Sequence, residues 1–390
     1  MNFEKRVNVR NGNTNSCNLD FCHRYQAAYE TFHRANYTTT DAERLMLKSV
    51  ELAVRAREKF EEIQSQTNEN SPCTKIALSL GPYGATLEAA AEFTGIYPPP
   101  YGPSHSPSSV LDQTNESEPP ESDDTSHINA LAAFHFSRLL VYARNNDVWS
   151  SIDLLAFETI PLITEAKAIR IAVARLEDWL REATREGKQT INSYRMKPWY
   201  ISFVFPGPNG EFIQGYPHRL EGIQVKGNFD RSTATQRAYT AYEVADAALA
   251  PGNQTAQQKM SVPDAIGINC IPCHVLPPII EGFASAVRDV SKLLQQKEAL
   301  PWLVLCPNGG LTYDPVARTW MNNSCASHKQ VEEDGGTNWA KSLAELIRKG
   351  TVDHPAMDIN VFEGILIGGC CKTGPDKIKA LKSQMMEPWP

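Results

Sequence analysis

The sequence of 390 residues lacks several features that would place it in other classes of protein. No apolar run approaches the roughly 18 residues of a membrane-spanning helix, and the first residues contain no apolar core of the signal-peptide type. Basic residues are not in excess, because 38 Lys and Arg stand against 45 Asp and Glu, for a net charge of −7. We therefore expect a cytoplasmic protein that binds neither a membrane nor the backbone of a nucleic acid.

The sequence also lacks a Gly-x-Gly-x-x-Gly turn after any predicted strand, and no repeat of about 20–50 residues occurs. Instead, six short apolar runs bounded by Gly, Pro or polar residues predict buried strands. The runs cover residues 75–79, 152–157, 199–205, 265–269, 302–305 and 362–367. Between them lie predicted helices over 161–187, 277–296, and about 40–63, the last starting at a capping box of Thr40 and Glu43. This alternation predicts a parallel sheet, either doubly wound or part of a (β/α)₈ barrel.

The composition is typical of a globular chain with a large core, since 42% of the residues are hydrophobic and 21% are charged. We expect one domain over residues 1–390, interrupted by two polar insertions. The first covers about residues 98–126 and is rich in Pro, Ser and acidic residues, and the second covers about 225–262 with a predicted helix near 239–250. Nothing in the sequence indicates the oligomeric state.

The nine cysteines are irregularly spaced, so we expect no disulfide framework in a reducing cytoplasm. Cys270 follows the fourth predicted strand, and Cys370 and Cys371 follow the last one. Active sites of parallel barrels lie at these C-terminal strand ends, and three thiols suit a catalytic zinc that keeps one position open. The same cysteines could instead be small residues at tight strand ends, or a redox pair, although adjacent cysteines form a disulfide poorly. Cys306 is expected to be a buried thiol, and His135 a structural residue.

Several motifs resemble those of one enzyme family, in the same order along the chain. Gly-Ile-Asn-Cys at residues 267–270 and Gly-Gly-Cys-Cys at 368–371 resemble the zinc motifs of the homocysteine S-methyltransferase family. Three further segments resemble that family's strand ends: Ser-Leu-Gly-Pro-Tyr-Gly at 79–84, Phe-Glu-Thr-Ile-Pro at 157–161, and Pro-Asn-Gly-Gly at 307–310. The resemblance covers about residues 22–383.

The resemblance implies a zinc-dependent enzyme on a (β/α)₈ barrel of the TIM type. It implies that Cys270, Cys370 and Cys371 bind zinc and that the sulfur of homocysteine takes the open position, where zinc stabilises the thiolate. The implied reaction moves a methyl group from a sulfonium donor, S-methylmethionine or S-adenosylmethionine, to homocysteine and forms methionine. The expected partners are therefore these small molecules.

The resemblance also assigns residues to the substrate pocket. Glu158, at the end of the second predicted strand, would hold the amino group of homocysteine. It could instead be a structural carboxylate paired with a neighbouring cation. Asn308, Gly81 and Gly84 would shape the pocket without reacting.

The start of the chain departs from the family pattern. The family begins with a strand ending in Asp-Gly-Gly, whose Asp helps to bind homocysteine, and no such triplet occurs among the residues before Cys22. We therefore expect the barrel to lack its first β/α unit and its second strand, or to replace them. If this chain is the whole protein, we expect methyl transfer to be slow or absent. The alternative function is a non-catalytic zinc-binding barrel that acts through protein contacts.

Overall fold

The structure, a computed structural model, describes residues 7–9, 18–23, 25–66, 74–87, 91–95, 97–102, 126–185, 195–205, 239–251, 259–293, 300–310, 312–314, 319–321, 336–352 and 357–387. The strands in this part of the chain are β1 (Val7–Val9), β2 (Asn18–His23), β3 (Thr74–Leu80), β4 (Leu154–Ile160), β5 (Trp199–Phe203), β6 (Ala265–Asn269), β7 (Trp302–Cys306), β8 (Thr312–Asp314), β9 (Thr319–Met321) and β10 (Ile365–Ile367). The helices are α1 (Tyr29–Arg34), α2 (Thr39–Gln66), α3 (Ala91–Thr94), α4 (Ser126–Ala143), α5 (Asn146–Ser151), α6 (Ile163–Arg185), α7 (Ala241–Leu249), α8 (Leu276–Leu293), α9 (Thr337–Val352) and α10 (Pro375–Met386). None of these helices is long and apolar enough to cross a membrane.

Eight of the strands form one sheet in the order β1-β10-β7-β6-β5-β4-β3-β2. All neighbouring pairs are parallel except β1 and β10, which are antiparallel. Helices connect most successive parallel strands, which is the arrangement of an α/β barrel-like fold. Within the described residues no pairing joins β1 to β2, so the sheet is not closed at that point.

All six predicted strands are present, as β3, β4, β5, β6, β7 and β10. The expected loss of the second strand is wrong for residues 18–23, because they form β2, paired in parallel with β3 from Asn18 and Thr74 to His23 and Ser79. This strand carries Leu19 and Phe21 in alternation with polar residues, a pattern of half-buried strands that a search for continuous apolar runs misses. The expected loss of the first β/α unit stays a prediction.

The predicted helices are present as α2, α6 and α8, but the predicted cap of α2 is wrong. A cap at Thr40 would start the helix at Asp41, whereas α2 begins at Thr39. The capping residue is Thr38, whose Oγ1 accepts a hydrogen bond from the Asp41 N–H at 3.1 Å. Glu43 instead accepts a hydrogen bond from the Tyr29 hydroxyl at 2.7 Å. Both Thr38 and Thr40 are followed three residues later by an acid, so the spacing alone could not choose between them.

The two predicted insertions fall largely outside the described residues. The helix expected in the second insertion is α7, which starts at a capping box formed by Thr240 and Glu243. Helix α4 directly follows the first insertion, and the sequence reasoning did not predict it.

Successive residues of β4 pack on opposite sides of the sheet. Leu155 and Phe157 belong to the main core between the sheet and the helices. Ala156 lies in a smaller buried cluster with Ala77 and Tyr200. Because side chains alternate along a strand, the Glu158 side chain lies on the same face of the sheet as Ala156, at the C-terminal end of the strand.

Candidate metal centre

The thiols of Cys270, Cys370 and Cys371 meet at the C-terminal ends of β6 and β10. The Cys270 and Cys371 sulfurs are 3.8 Å apart, and the Cys370 and Cys371 sulfurs are 4.0 Å apart. All three sulfurs lie within 4.8 Å of one another. Among the described residues, this is the one group of three or more His, Cys, Asp or Glu side chains that could hold a metal ion. The structure thus brings together the three cysteines that the sequence singled out.

The end of β7 holds the two cysteine segments side by side. The Cys270 N–H donates to the Cys306 carbonyl at 3.1 Å, and the Cys370 N–H donates to the Pro307 carbonyl at 2.8 Å. A further bond runs from the Gly309 N–H to the Cys371 carbonyl at 2.8 Å. Backbone hydrogen bonds thus fix all three cysteines relative to one strand end.

The spacing of the sulfurs fits a tetrahedral metal. A zinc–sulfur bond of about 2.3 Å places two sulfurs of a tetrahedron about 3.8 Å apart. The measured separations of 3.8 and 4.0 Å agree with that value. Hydrogen bonds with the other two thiols, followed by burial, raise the pKa of Cys270 well above its usual range. Three ionised thiols would therefore need a cation between them, and this donor set fits a divalent metal.

A hydrogen-bonded side-chain group surrounds the thiols. Asn269, the last residue of β6, accepts hydrogen bonds from the Thr159 N–H at 2.9 Å and from the Ser202 hydroxyl at 2.7 Å. Its amide nitrogen lies 2.7 Å from the Thr159 hydroxyl and 3.9 Å from the Cys370 sulfur. The Thr159 hydroxyl in turn lies 3.9 Å from the Cys270 sulfur.

Left-handed backbone is concentrated at this centre. The described residues other than glycine that have a positive φ are Asn36, Thr159, Cys270 and Lys372, and all but Asn36 belong to the centre or adjoin it. Thr159 has a φ of 62°, which is unfavourable for a β-branched side chain. Such outliers cluster at functional sites, where the surrounding contacts hold them in place.

Glu158 lies on the inner side of the sheet and is held by two hydroxyls. Its Oε2 accepts from the Ser79 hydroxyl at 2.9 Å, and its Oε1 accepts from the Tyr200 hydroxyl at 2.7 Å. Its exposed fraction is only 7%. These two hydrogen bonds fix the orientation of the carboxylate.

The three predicted pocket residues occupy strand-end loops. The Asn308 side chain donates to the Cys270 carbonyl at 3.0 Å, so it supports the turn that carries Cys270. The Gly81 N–H donates to the Tyr25 carbonyl at 3.0 Å, and a side chain at Gly81 would come within 2.6 Å of that oxygen. A side chain at Gly84 would come equally close to the backbone of Ala91. The two glycines thus permit close packing of backbone segments.

A family model matches nearly the whole chain and includes the segments that carry the motifs. The family model for homocysteine S-methyltransferase matches residues 22–385. The chain belongs to the homocysteine S-methyltransferase family. It is therefore an enzyme of the type that this family comprises.

Curated relatives agree with this family membership. Homocysteine S-methyltransferase 1 of Brassica oleracea var. italica is 26% identical over 362 residues, which cover 93% of this chain and 76% of the relative. Homocysteine S-methyltransferase YbgG of Bacillus subtilis is 26% identical over 357 residues, covering 92% and 76%. Selenocysteine Se-methyltransferase of B. oleracea is 23% identical over 370 residues, covering 93% and 73%. The solved homocysteine methyltransferase MmuM of Escherichia coli, in its metallated form, is 20% identical with a TM-score of 0.47, covering 94% of this chain and 79% of that one.

In this family member, sequence reasoning missed the residues that support the site. Asn269 stands inside the Gly-Ile-Asn-Cys motif and Thr159 inside Phe-Glu-Thr, so their motifs were seen but not their roles. Arg138 lies on a helix that was not predicted, and its guanidinium donates to the carbonyls of Ala27, Gly81 and Tyr25. No sequence signal pairs a helix arginine with carbonyls of two distant loops.

Another missed interaction is a buried pair beside the loop after β3. His135 was expected to be a structural residue, but its partner was not predicted: its Nε2 lies 3.0 Å from Glu165 Oε1. Glu165 also accepts hydrogen bonds from the Tyr83 N–H and the Tyr97 hydroxyl, both at 2.6 Å. In the tautomer that carries its proton on Nε2, His135 donates a hydrogen bond to this carboxylate.

Proposed function

We propose that this chain moves a methyl group from a sulfonium donor, S-methylmethionine or S-adenosylmethionine, to the sulfur of homocysteine. The observation that carries the proposal is the group of three thiols at the C-terminal end of the sheet. Family membership supports methyl transfer to homocysteine as the reaction class. The product would be methionine together with the demethylated sulfide of the donor.

Cys270, Cys370 and Cys371 would hold a zinc ion. Three protein ligands leave a fourth tetrahedral position for a substrate, which is typical of catalytic zinc sites. When bound, zinc would lower the pKa of a substrate thiol from its usual value of about 8.5, so that the thiol is ionised at neutral pH. The protein's part is to hold the three sulfurs at fixed positions, and the bonds to the end of β7 support this.

Glu158 would bind the ammonium group of homocysteine. Its carboxylate is buried and oriented by hydrogen bonds from Ser79 and Tyr200, and it would supply the negative charge that pairs with an ammonium group. Asn308 would keep the Cys270 turn in place, and Gly81 and Gly84 would allow the loop after β3 to lie close to the site. These residues position the substrate and do not react.

The reaction needs no oxidant or further reactant. The bond between the methyl carbon and the positive donor sulfur breaks, and its electron pair stays on that sulfur, which becomes neutral. A lone pair of the homocysteine sulfur forms the new bond to the methyl carbon. The thiol proton of homocysteine leaves to solvent, so atoms and charge balance.

The test is an assay of methionine formation by the purified, zinc-loaded chain. Homocysteine is supplied with S-methylmethionine in one reaction and with S-adenosylmethionine in the other, and the Cys371→Ser variant serves as the control. We expect methionine from at least one donor with the wild-type chain and none above background with the variant. No methionine from either donor would overturn the proposal. The alternative of a non-catalytic barrel is not favoured by the family membership.

A further inference from the structure

The Asn269 side chain uses all of its hydrogen-bonding capacity at the end of β6. Its oxygen accepts from the Thr159 N–H and the Ser202 hydroxyl, and its nitrogen donates to the Thr159 hydroxyl and towards the Cys370 sulfur. A primary amide has two donor hydrogens and one oxygen with two lone pairs, so every position has a partner. The residue is 2% exposed, and these bonds are therefore shielded from water.

Asn269 also holds the strained end of β4. It binds both the N–H and the hydroxyl of Thr159, the residue with a φ of 62°. The pairing of β4 with β5 is irregular between Phe157 and Ile160, so the regular ladder does not fix this turn. The side chain of Asn269 supplies the fixing contacts instead.

Two hydrogen-bond donors, one on Asn269 and one on Thr159, therefore lie near two different sulfurs. The Asn269 N–H points to Cys370, at 3.9 Å. The Thr159 hydroxyl accepts from Asn269, and its own hydrogen can be donated to Cys270, also at 3.9 Å, or to the Tyr25 hydroxyl. Three thiolates on a divalent ion carry one excess negative charge, and hydrogen-bond donors to the sulfurs offset part of it.

We propose that Asn269 is a positioning residue of the metal centre, which orients Thr159 and directs the two donors that stabilise the thiolates of Cys270 and Cys370. This inference rests on the proposed function, because it requires a metal held by the three cysteines. A residue that binds neither metal nor substrate would then set how much negative charge the metal-bound sulfurs carry. It also ties the turn that carries Glu158 to the metal-binding turn after β6.

The decisive variant is Asn269→Asp. Aspartate keeps the shape and the oxygen that accepts from Thr159 and Ser202, but it has no N–H to offer to Cys370 or to the Thr159 hydroxyl. The matched control is Ser202→Ala, which removes a hydrogen bond to the same amide and leaves both donors in place. Thr159→Val is a second variant, since valine keeps the branched shape and lacks only the hydroxyl.

The probe is cobalt(II) added to the metal-free full-length proteins. Affinity is measured by competition with a chromophoric chelator, and the sulfur-to-cobalt charge-transfer absorption is recorded. Far-UV circular dichroism of each metal-free protein shows whether it is folded. Loss of a donor raises the energy of the sulfur lone pairs, so the absorption should move to longer wavelength.

For Asn269→Asp we expect a roughly ten- to hundredfold weaker affinity and a shift to longer wavelength. Thr159→Val should shift the absorption in the same direction, and Ser202→Ala should match the wild type. Unchanged affinity and absorption in folded Asn269→Asp and Thr159→Val would overturn the inference while leaving the metal site intact. A wild-type chain that binds no cobalt would contradict the metal site itself, and the inference would fall with it.

Discussion

The sulfur atoms of Cys270 and Cys371 lie 3.8 Å apart, although the two residues are 101 positions apart in the chain. The two cysteines follow strands that are not neighbours, because β7 lies between β6 and β10. The backbone at the end of β7 bridges the gap, since the carbonyls of Cys306 and Pro307 accept from Cys270 and Cys370. A metal site assembled in this way depends on three strand ends being in register.

The first prediction concerns metal content. Cys270→Ser, Cys370→Ser and Cys371→Ser should each lose bound zinc, because a hydroxyl is a poor replacement for a thiolate ligand. Cys306→Ala should keep about one zinc per chain, since its backbone carbonyl is the group that supports Cys270. Elemental analysis of the purified proteins measures this. Zinc retained in all three strand-end variants would exclude the thiol cluster as the metal site.

The sequence was sufficient to predict those features that depend on the pattern of neighbouring residues. Continuous apolar runs marked β3, β4, β5, β6, β7 and β10, and cysteines at two strand ends marked the thiol cluster that could hold a metal ion. It was not sufficient for β2, where only Leu19 and Phe21 alternate with polar residues, or for contacts such as Arg138 to Gly81. Those contacts join segments far apart in the chain, and no local spacing encodes them.

The second prediction concerns Glu158. Glu158→Gln removes the negative charge but keeps the size, so homocysteine should bind roughly ten- to a hundredfold more weakly, the value of one charge-assisted hydrogen bond of about 1.5–3 kcal/mol. Zinc content should not change, because Glu158 is not one of the three thiol ligands. Calorimetric titration of homocysteine into both proteins gives the two affinities.

A control separates the charge of Glu158 from its orientation. Tyr200→Phe removes the hydroxyl that donates to Oε1 at 2.7 Å and leaves the carboxylate charged. Its affinity for homocysteine should fall less than that of Glu158→Gln. Equal affinities of Glu158→Gln and the wild type would mean that this carboxylate is structural.

The third prediction concerns the close contact between the loops after β7 and β10. A side chain at Gly309 would come within 2.1 Å of the Lys372 carbonyl oxygen, which belongs to the backbone. Gly309→Ala should therefore lower the free energy of unfolding by about 1–3 kcal/mol. It should also weaken metal binding, since the Gly309 N–H supports Cys371.

The matched control for this contact is Gly374→Ala. A side chain at Gly374 would have no neighbour within 4 Å in the described part of the chain, so the free energy of unfolding should stay within about 0.5 kcal/mol of the wild-type value. Urea denaturation of the metal-free proteins compares the two variants. Equal stability of Gly309→Ala and Gly374→Ala would show that the two loops can separate without cost.

The last prediction concerns the pH dependence of stability. Burial lowers the pKa of His135 below its ordinary value of 6.5, against the opposing effect of Glu165. The unfolded chain therefore binds more protons at this residue between the lowered pKa and about 6.5, and stability rises with pH through that window. His135 contributes fully above the window and loses its contribution as the pH falls. Its Nδ1 is buried and has no hydrogen-bond partner among the described residues, so a second proton there would have no acceptor among them.

His135→Gln keeps a donor for Glu165 but cannot titrate, so the stability difference between wild type and variant should shrink from about pH 7.5 to about pH 5.5. Urea denaturation at both pH values measures it, and a difference that stays constant would mean that His135 protonates alike in the folded and unfolded chains.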